Sequence, residues 1–368
     1  MTTELARAVL SFIVVLGVLI VVHELGHFVT AKLAGIAVPR FSVGLGPKVW
    51  SVKVGETEYA ISALPLGGYV KLAGMGEEEA LEALEGGPAD VEVPPERRFD
   101  SKSLGTRAVV ISAGVVMNFL FAIVAFAGLA FWRGELIPLI GEVQEDSPAA
   151  EAGLRAGDLI LAVDDQEMKR WVELSAYVYA RPAEEVDLLI EREGAAMELH
   201  AQTARMIQVD SARGDTIVYG QLGIRGDTIH GRVPLSATVA LWRGTQEAST
   251  LTVLILDFLG DLVTGRASAR ELGGPILIGQ ISGEAARAGL ATFINFMALL
   301  SVHLAVLNLL PIPILDGGHL LFLAIEGVRG GRALSSRARA RLSQFGFIFI
   351  LALMVWVIAS DVLRITGH

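Results

Sequence analysis

The sequence predicts a polytopic α-helical membrane protein with four transmembrane helices, a membrane-associated β-hairpin or small sheet, and one α+β domain outside the lipid. Three observations lead there. The 368-residue chain is 52% hydrophobic and 19% charged, with a mean hydropathy of +0.54, too apolar for an ordinary soluble protein. Four stretches without formal charge are long enough for the ~20 residues a bilayer requires: Ala8–Val22 continuing into His23–Phe28, Ala108–Trp132, Ala288–Leu315 and Leu342–Ser360. Charge is also uneven, since Arg133 to Arg287 holds 14 Lys/Arg and 24 Asp/Glu while the remainder holds 16 of each.

The elements follow in order. Residues 1–35 hold the first transmembrane helix, whose apolar run passes straight into His23-Glu24 without a small-residue cleavage site and therefore reads as retained. In 36–75, Phe41, Val43 and Leu45 alternate up to a Gly44-Leu45-Gly46-Pro47 break. Trp50, Val52 and Val54 then alternate up to a turn at Gly55-Glu56, and Tyr59 and Ile61 follow. That pattern is a small antiparallel sheet, either dipping into the membrane or lying as a surface hairpin. Residues 76–104 read as an acidic linker with a solvated helix over Glu77–Glu85, and 105–133 as the second transmembrane helix.

Residues 138–205 form the α+β domain, with Ser147 capping a short helix that has Pro148 at its first position. The strand Leu159–Val163, a helix over Trp171–Ala180, and the strands Val186–Glu191 and Ala196–Ala201 complete it. Residues 206–287 read as a linker with an amphipathic helix over Val239–Val263. Leu251, Leu254, Ile255, Phe258, Leu259 and Leu262 share one face, while Arg243, Glu247, Asp257 and Asp261 interrupt the stretch. It suits an interfacial position or packing on the spans, not a fifth crossing. The third helix takes 288–320, a basic loop 321–341 and the fourth helix 342–362. Nine Lys/Arg fall between spans one and two and five Arg between three and four, which places 36–104 and 321–341 in the cytoplasm by the positive-inside tendency. Both termini and the acidic α+β domain are then extracytoplasmic.

The chemistry gathers at His23-Glu24-Leu25-Gly26-His27. On a helix the two imidazoles project from one face, the pattern in which a His pair binds zinc and the intervening Glu is the general base of hydrolysis. Such groups at membrane depth are expensive unless they serve a site. The absence of Cys excludes thiol catalysis and leaves zinc, one ion per chain, to His and carboxylate ligands. A net charge of −10 argues against nucleic acid as partner. A third ligand is required, and His303, His319 and Asp316 are the candidates. Asp316 follows Asn308-Leu309-Leu310-Pro311-Ile312-Pro313-Ile314-Leu315 and precedes Gly317-Gly318, a helix broken so as to turn its carboxylate inward. His303 reads better as a hydrogen-bonded core residue. Asn308, Gly67 and Gly68 are candidates for holding a substrate backbone, although a structural hydrogen bond and a plain turn account for them equally well.

The two motifs H-E-L-G-H and N-L-L-P-I-P-I-L-D-G-G resemble the signatures of the site-2 protease family of intramembrane zinc metalloproteases. The element order is similar to its bacterial regulator-of-sigma-E protease (RseP-type) branch over essentially the whole chain. The resemblance implies His23, His27 and Asp316 as zinc ligands and Glu24 as catalytic base. It also implies a multi-pass protein of a bacterial inner membrane, surrounded by lipid, that cleaves single-span membrane proteins within or near their transmembrane segments. An anti-sigma factor already cut on the outer side is the implied substrate. Ser147–Ile160 looks like the PDZ signature of bacterial periplasmic proteases, which makes the α+β domain a single PDZ domain. Such a domain either binds the substrate's new C-terminus or excludes substrates with bulky outer domains. Related sequences often have Gly-Pro before the second-span Asn, whereas Gly114-Val115-Val116-Met117-Asn118 lacks the Pro. A protease cutting soluble segments at the cytosolic face and a non-enzymatic PDZ-bearing scaffold are the competing readings.

Overall fold

The computed structural model describes residues 2–75, 93–209, 216–268 and 272–366, so the helix expected over Glu77–Glu85 lies outside the described residues. Its helices are α1 (Thr2–Leu33), α2 (Leu104–Arg133), α3 (Pro148–Glu151), α4 (Trp171–Tyr179), α5 (Ala237–Thr264), α6 (Pro275–Ala288), α7 (Leu290–Leu309), α8 (Asp316–Val328) and α9 (Ser336–Thr366). Its strands are β1 (Arg40–Val54), β2 (Thr57–Lys71), β3 (Glu135–Leu136), β4 (Ile140–Val143), β5 (Leu159–Val163), β6 (Gln166–Glu167), β7 (Glu185–Arg192), β8 (Ala195–Gln202), β9 (Ala204–Val209), β10 (Thr216–Gln221), β11 (Ile224–Gly226) and β12 (Arg232–Val233). The chain forms two compact units: residues 1–126, 244–263 and 268–368 make one, and residues 127–243 with 264–267 make the other.

Among the described residues, four helices are long and apolar enough to cross a membrane: Glu4–Leu33, Leu104–Arg133, Leu290–Leu309 and Ser336–Arg364. A helix satisfies its backbone internally, which lipid demands. Leu10, Val14, Phe345, Ile348 and Trp356 stay exposed, an apolar surface suited to hydrocarbon. α5 is not among the four; Ala248 and Ile255 on it are buried with Ala122 and Phe126 of α2 and Val302 of α7.

In the first unit β1 and β2 are each bent. Residues 40–43 pair with both 58–61 and 68–71, while 48–54 pair with 57–62, so two long strands make a sheet of four segments. The turn falls at Gly55 with φ +62°. Glu56 beyond it is held by Lys32 of α1 at 2.6 Å and Arg97 at 2.8 Å, and the Phe41 and Tyr59 rings pack on Phe28 of α1. Ile36, Val38, Leu72, Phe99 and Val110 close a core under the sheet. The sheet is therefore fixed to the helix that carries the His pair.

Two boundaries differ from expectation here. The loop expected over 321–341 is mostly helical, because α8 runs to Val328 and α9 starts at Ser336. The apolar residues Leu320, Phe322 and Leu323 draw that stretch into the protein, Phe322 being buried and the other two packing on buried cores. Residues 206–287 carry two helices where one was expected. The N-terminus of α6 is capped at long range: Asp361 of α9 accepts hydrogen bonds from the backbone N–H of Gly274, Ile276 and Leu277, each at 3.1 Å. These are donors that a helix start leaves without an intrahelical partner.

The second unit is an α+β domain. Its four-stranded antiparallel sheet has the order β6-β5-β7-β8, with β11–β4, β9–β10 and β12–β3 as further pairs. Along β7, Val186, Leu188 and Ile190 are buried and alternate with exposed or partly exposed residues, the period of a half-buried strand. They pack with Ile140, Leu154, Ile160, Leu174 and Leu222. Ser147 caps α3 through the Ala150 N–H, with Pro148 at the first position. Residues 206–235 are thus no linker. Leu222 is 2% exposed in the core and Ile224 pairs with Val143. Gly220, Gly223 and Gly226 make this stretch look like coil in sequence, and the pairing partners of β11 lie about 80 residues earlier.

Candidate metal centre

His23 and His27, one turn apart on α1, turn their rings to the same side with centroids 4.9 Å apart. The third group comes from the broken third span. Pro311 and Pro313 cannot donate to a helix ladder, and α7 ends at Leu309, with Leu310 extended. Ile314 has φ +96°, a region costly for a β-branched residue. α8 restarts at Asp316. A Cβ on Gly317 would lie 2.2 Å from the Leu309 carbonyl oxygen, and one on Gly318 2.3 Å from that of Ile312. Only glycine lets the new helix start so close to the end of the old one.

The result is a triad. His23 Nε2 and His27 Nε2 are 3.2 Å apart, and Asp316 Oδ2 lies 3.2 Å from the first and 3.5 Å from the second. Zinc bonds of ~2.0–2.2 Å at tetrahedral angles separate ligand atoms by about 3.3–3.5 Å, so the three fit a single ion of that size. Two further observations agree. Asp316 Oδ2 is buried with no hydrogen-bond partner, a costly state for a carboxylate unless a cation meets it. His27 Nδ1 donates to the Val110 carbonyl at 2.9 Å, which leaves the Nε2 lone pair facing the other two groups. Among the described residues this is the one such cluster of His and carboxylates.

The other sequence candidates divide. His303 donates through Nδ1 to the Leu299 carbonyl of its own helix at 2.9 Å and is not in the cluster. His319, Glu24, Asn308, Gly67 and Gly68 all line one cavity of about 1160 Å³ with the triad. A Cβ on Gly68 would fall 2.7 Å from Ile20 and 3.2 Å from Glu24, so this glycine lets the β2 backbone lie directly against the face of α1 that carries Glu24. The same cavity extends past Arg107 and Glu326 to Arg337 and Arg339. Arg107 and Glu326 pair in a two-pronged contact at 2.5 and 3.2 Å. Sequence reasoning assigned no role to this pair or to Asn118, which is fully buried with its side-chain amide 3.2 Å from His23 Nδ1. Asn118 is visible in sequence as one of two hydroxyl or amide residues in the Ala108–Trp132 stretch.

With this geometry in view, the comparisons decide the family. The profile of Peptidase family M50 matches residues 11–353. The chain belongs to that family. The Agrobacterium fabrum protein Atu1380 is 35% identical over 374 residues, spanning 100% of this chain and 98% of its own. Zinc metalloprotease RasP of Shouchella clausii is 32% identical over 429 residues, spanning 98% and 99%. RasP of Geobacillus kaustophilus is 30% identical over 426 residues, spanning 98% of both. The chain is a metalloprotease of the site-2 type with helices suited to a membrane. Among solved structures, the PDZ domain of an SdrC-like protein from Listeria innocua aligns over 27% of this chain and 99% of its own at 24% identity, with a TM-score of 0.20.

Proposed function

We propose that the protein is an intramembrane zinc endopeptidase in which His23, His27 and Asp316 hold one zinc ion and Glu24 is the catalytic base. The observation that carries this reading is the convergence of three ligand atoms within 3.2–3.5 Å inside helices suited to lipid. Bound there, zinc would polarise the scissile carbonyl and acidify a water molecule. Glu24 takes the proton from that water and returns it to the leaving amine. β2 brings its Gly67-Gly68 backbone to the cavity wall, where an unwound substrate segment can gain backbone hydrogen bonds that lipid does not supply. Asn308 holds the substrate backbone from the opposite motif.

The substrates on this reading are single-span membrane proteins, an anti-sigma factor among them, cut after an earlier extracytoplasmic cleavage. The termini and the PDZ-like α+β domain face outward from a bacterial inner membrane, and the segments containing the paired sheet and the Arg329–Arg341 region face the cytoplasm. The domain either receives the new C-terminus or filters by size. Deletion of residues 135–233 separates the two, because a filter predicts that uncut substrate becomes cleavable.

Glu24→Gln in the purified full-length protein should leave zinc content at the wild-type level and lower cleavage of a membrane-tethered reporter by about 10²–10⁴-fold. Unchanged processing would overturn the catalytic assignment. Cleavage sites mapped by mass spectrometry outside the reporter's apolar span would overturn the intramembrane assignment.

A further inference from the structure

One face of α2 is built around the two imidazoles. Val110, Gly114 and Asn118 stand at intervals of four, one above the other on the helix. The Val110 carbonyl receives the Nδ1–H of His27 at 2.9 Å. Gly114 is where the rings rest, since a Cβ there would lie 2.4 Å from His27 Nε2 and 2.7 Å from His23 Nε2. Asn118, 0% exposed, completes the row with its amide nitrogen Nδ2 placed 3.2 Å from His23 Nδ1. Its Oδ1 is buried without a hydrogen-bond partner, and its backbone carbonyl accepts the Ser301 hydroxyl of α7 at 2.8 Å. Turning the amide over from this placement would give that oxygen the ring Nδ1–H as its donor.

The two ends of a carboxamide have the same shape and opposite hydrogen-bonding sense. With Nδ2 toward the ring, the amide donates to Nδ1, and a neutral imidazole must carry its proton on Nε2, where it blocks a metal. With Oδ1 toward the ring, the amide accepts Nδ1–H and leaves the Nε2 lone pair free. We infer that Asn118 is the positioning residue of His23: its amide oxygen accepts Nδ1–H and holds the ring in the tautomer that binds metal. The second span then supplies an acceptor for each imidazole, a carbonyl for His27 and a side chain for His23, with Gly114 between them. Metal-ligating His residues commonly pass their second N–H to such partners. The inference rests on the triad being the zinc site.

Asn118→Asp and Asn118→Leu separate a tautomer-setting role from a packing role. A carboxylate can only accept, so Asn118→Asp should hold zinc as tightly as the wild type or more tightly. Leu keeps the same branched shape, is somewhat bulkier, and neither accepts nor donates, so Asn118→Leu should lose roughly 10–100-fold in zinc affinity. The measurement is competition of the purified full-length protein against graded zinc chelators, with the visible spectrum of the cobalt(II)-loaded protein as a second readout of ligand arrangement. A Leu variant with wild-type zinc affinity, or an Asp variant weakened tenfold or more, would overturn the inference. The Asp result decides even where the Leu variant fails to fold. Absence of zinc from the wild-type protein would instead defeat the zinc site itself, a distinguishable failure.

Discussion

Two carboxylates with buried oxygens, one in each unit, are treated in opposite ways. Asp158 of the α+β domain has every near partner it needs: Arg192 reaches it at 2.7 and 2.8 Å, and the Arg155 N–H at 2.7 Å. Asp316 of the helical unit has an oxygen with no hydrogen-bond partner and two imidazole nitrogens at 3.2 and 3.5 Å. Asp361, another buried carboxylate in the helical unit, is satisfied by three backbone N–H groups. Burial alone therefore does not mark a functional acid. What distinguishes Asp316 is that its neighbours are two imidazoles, groups able to bind a metal alongside it, a fold that spends local consistency on a site.

The largest test of this contrast is exchange of the consequences. Asp316→Ala should cost zinc affinity at least the ~10–100-fold associated with losing an outer partner, and cleavage with it, while the protein remains folded in detergent. Chelator competition and reporter cleavage read this out; retained zinc would erase the difference between the two acids. Asp158→Ala should do the reverse. Zinc content stays at wild type, and the α+β domain loses roughly 4–8 °C in melting temperature, the shift that ~1 kcal/mol produces in a domain of this size. A finer test is Asp361→Ala, which removes the cap of α6 and should destabilise it by about 0.5–2 kcal/mol. Faster amide exchange at residues 274–278 is the expected signature, with the zinc site unaffected.

The smallest effect is in pH. Burial raises the Asp158 pKa, but hydrogen bonds from Arg192 and the Arg155 N–H outweigh it and hold the carboxyl below its usual 3.8. A carboxyl whose pKa is lower in the folded state stabilises the fold above its unfolded value and loses that contribution as pH falls through the folded one. Thermal melts of the α+β domain should therefore weaken as pH falls below about 4, and Asp158→Asn should flatten that dependence.

The sequence was most legible where chemistry is local or its spacing is stereotyped. His23, Glu24 and His27 lie within one helical turn and a half, and Pro311, Pro313 and Gly317-Gly318 mark the break that delivers Asp316. Four apolar helices were equally plain, as was the strand at Val186–Glu191. Partners chosen by tertiary packing were not. Asn118 is 95 residues from His23, Arg107 is 219 from Glu326, and the cap on α6 comes from 84 to 87 residues downstream. Leu222 and Ile224 were misread too: among glycines, two aliphatic residues are too weak a pattern to declare a core segment, and the strand that Ile224 pairs with lies about 80 residues earlier. No local pattern encodes such pairings, because what selects them is the cost of leaving a buried group unpaired.

The distance along the chain between His23 and Asp316 has a temporal side. A ribosome adding ~5–20 residues per second delivers the second of these about 15–60 s after the first. Throughout that interval the first span holds a base and two imidazoles but no complete coordination sphere. On the proposed assignment, a nascent or truncated chain is inert, and proteolytic competence switches on only when the third span has entered the bilayer and turned its carboxylate inward. A membrane protease split in this way cannot attack its neighbours before its third span is in place.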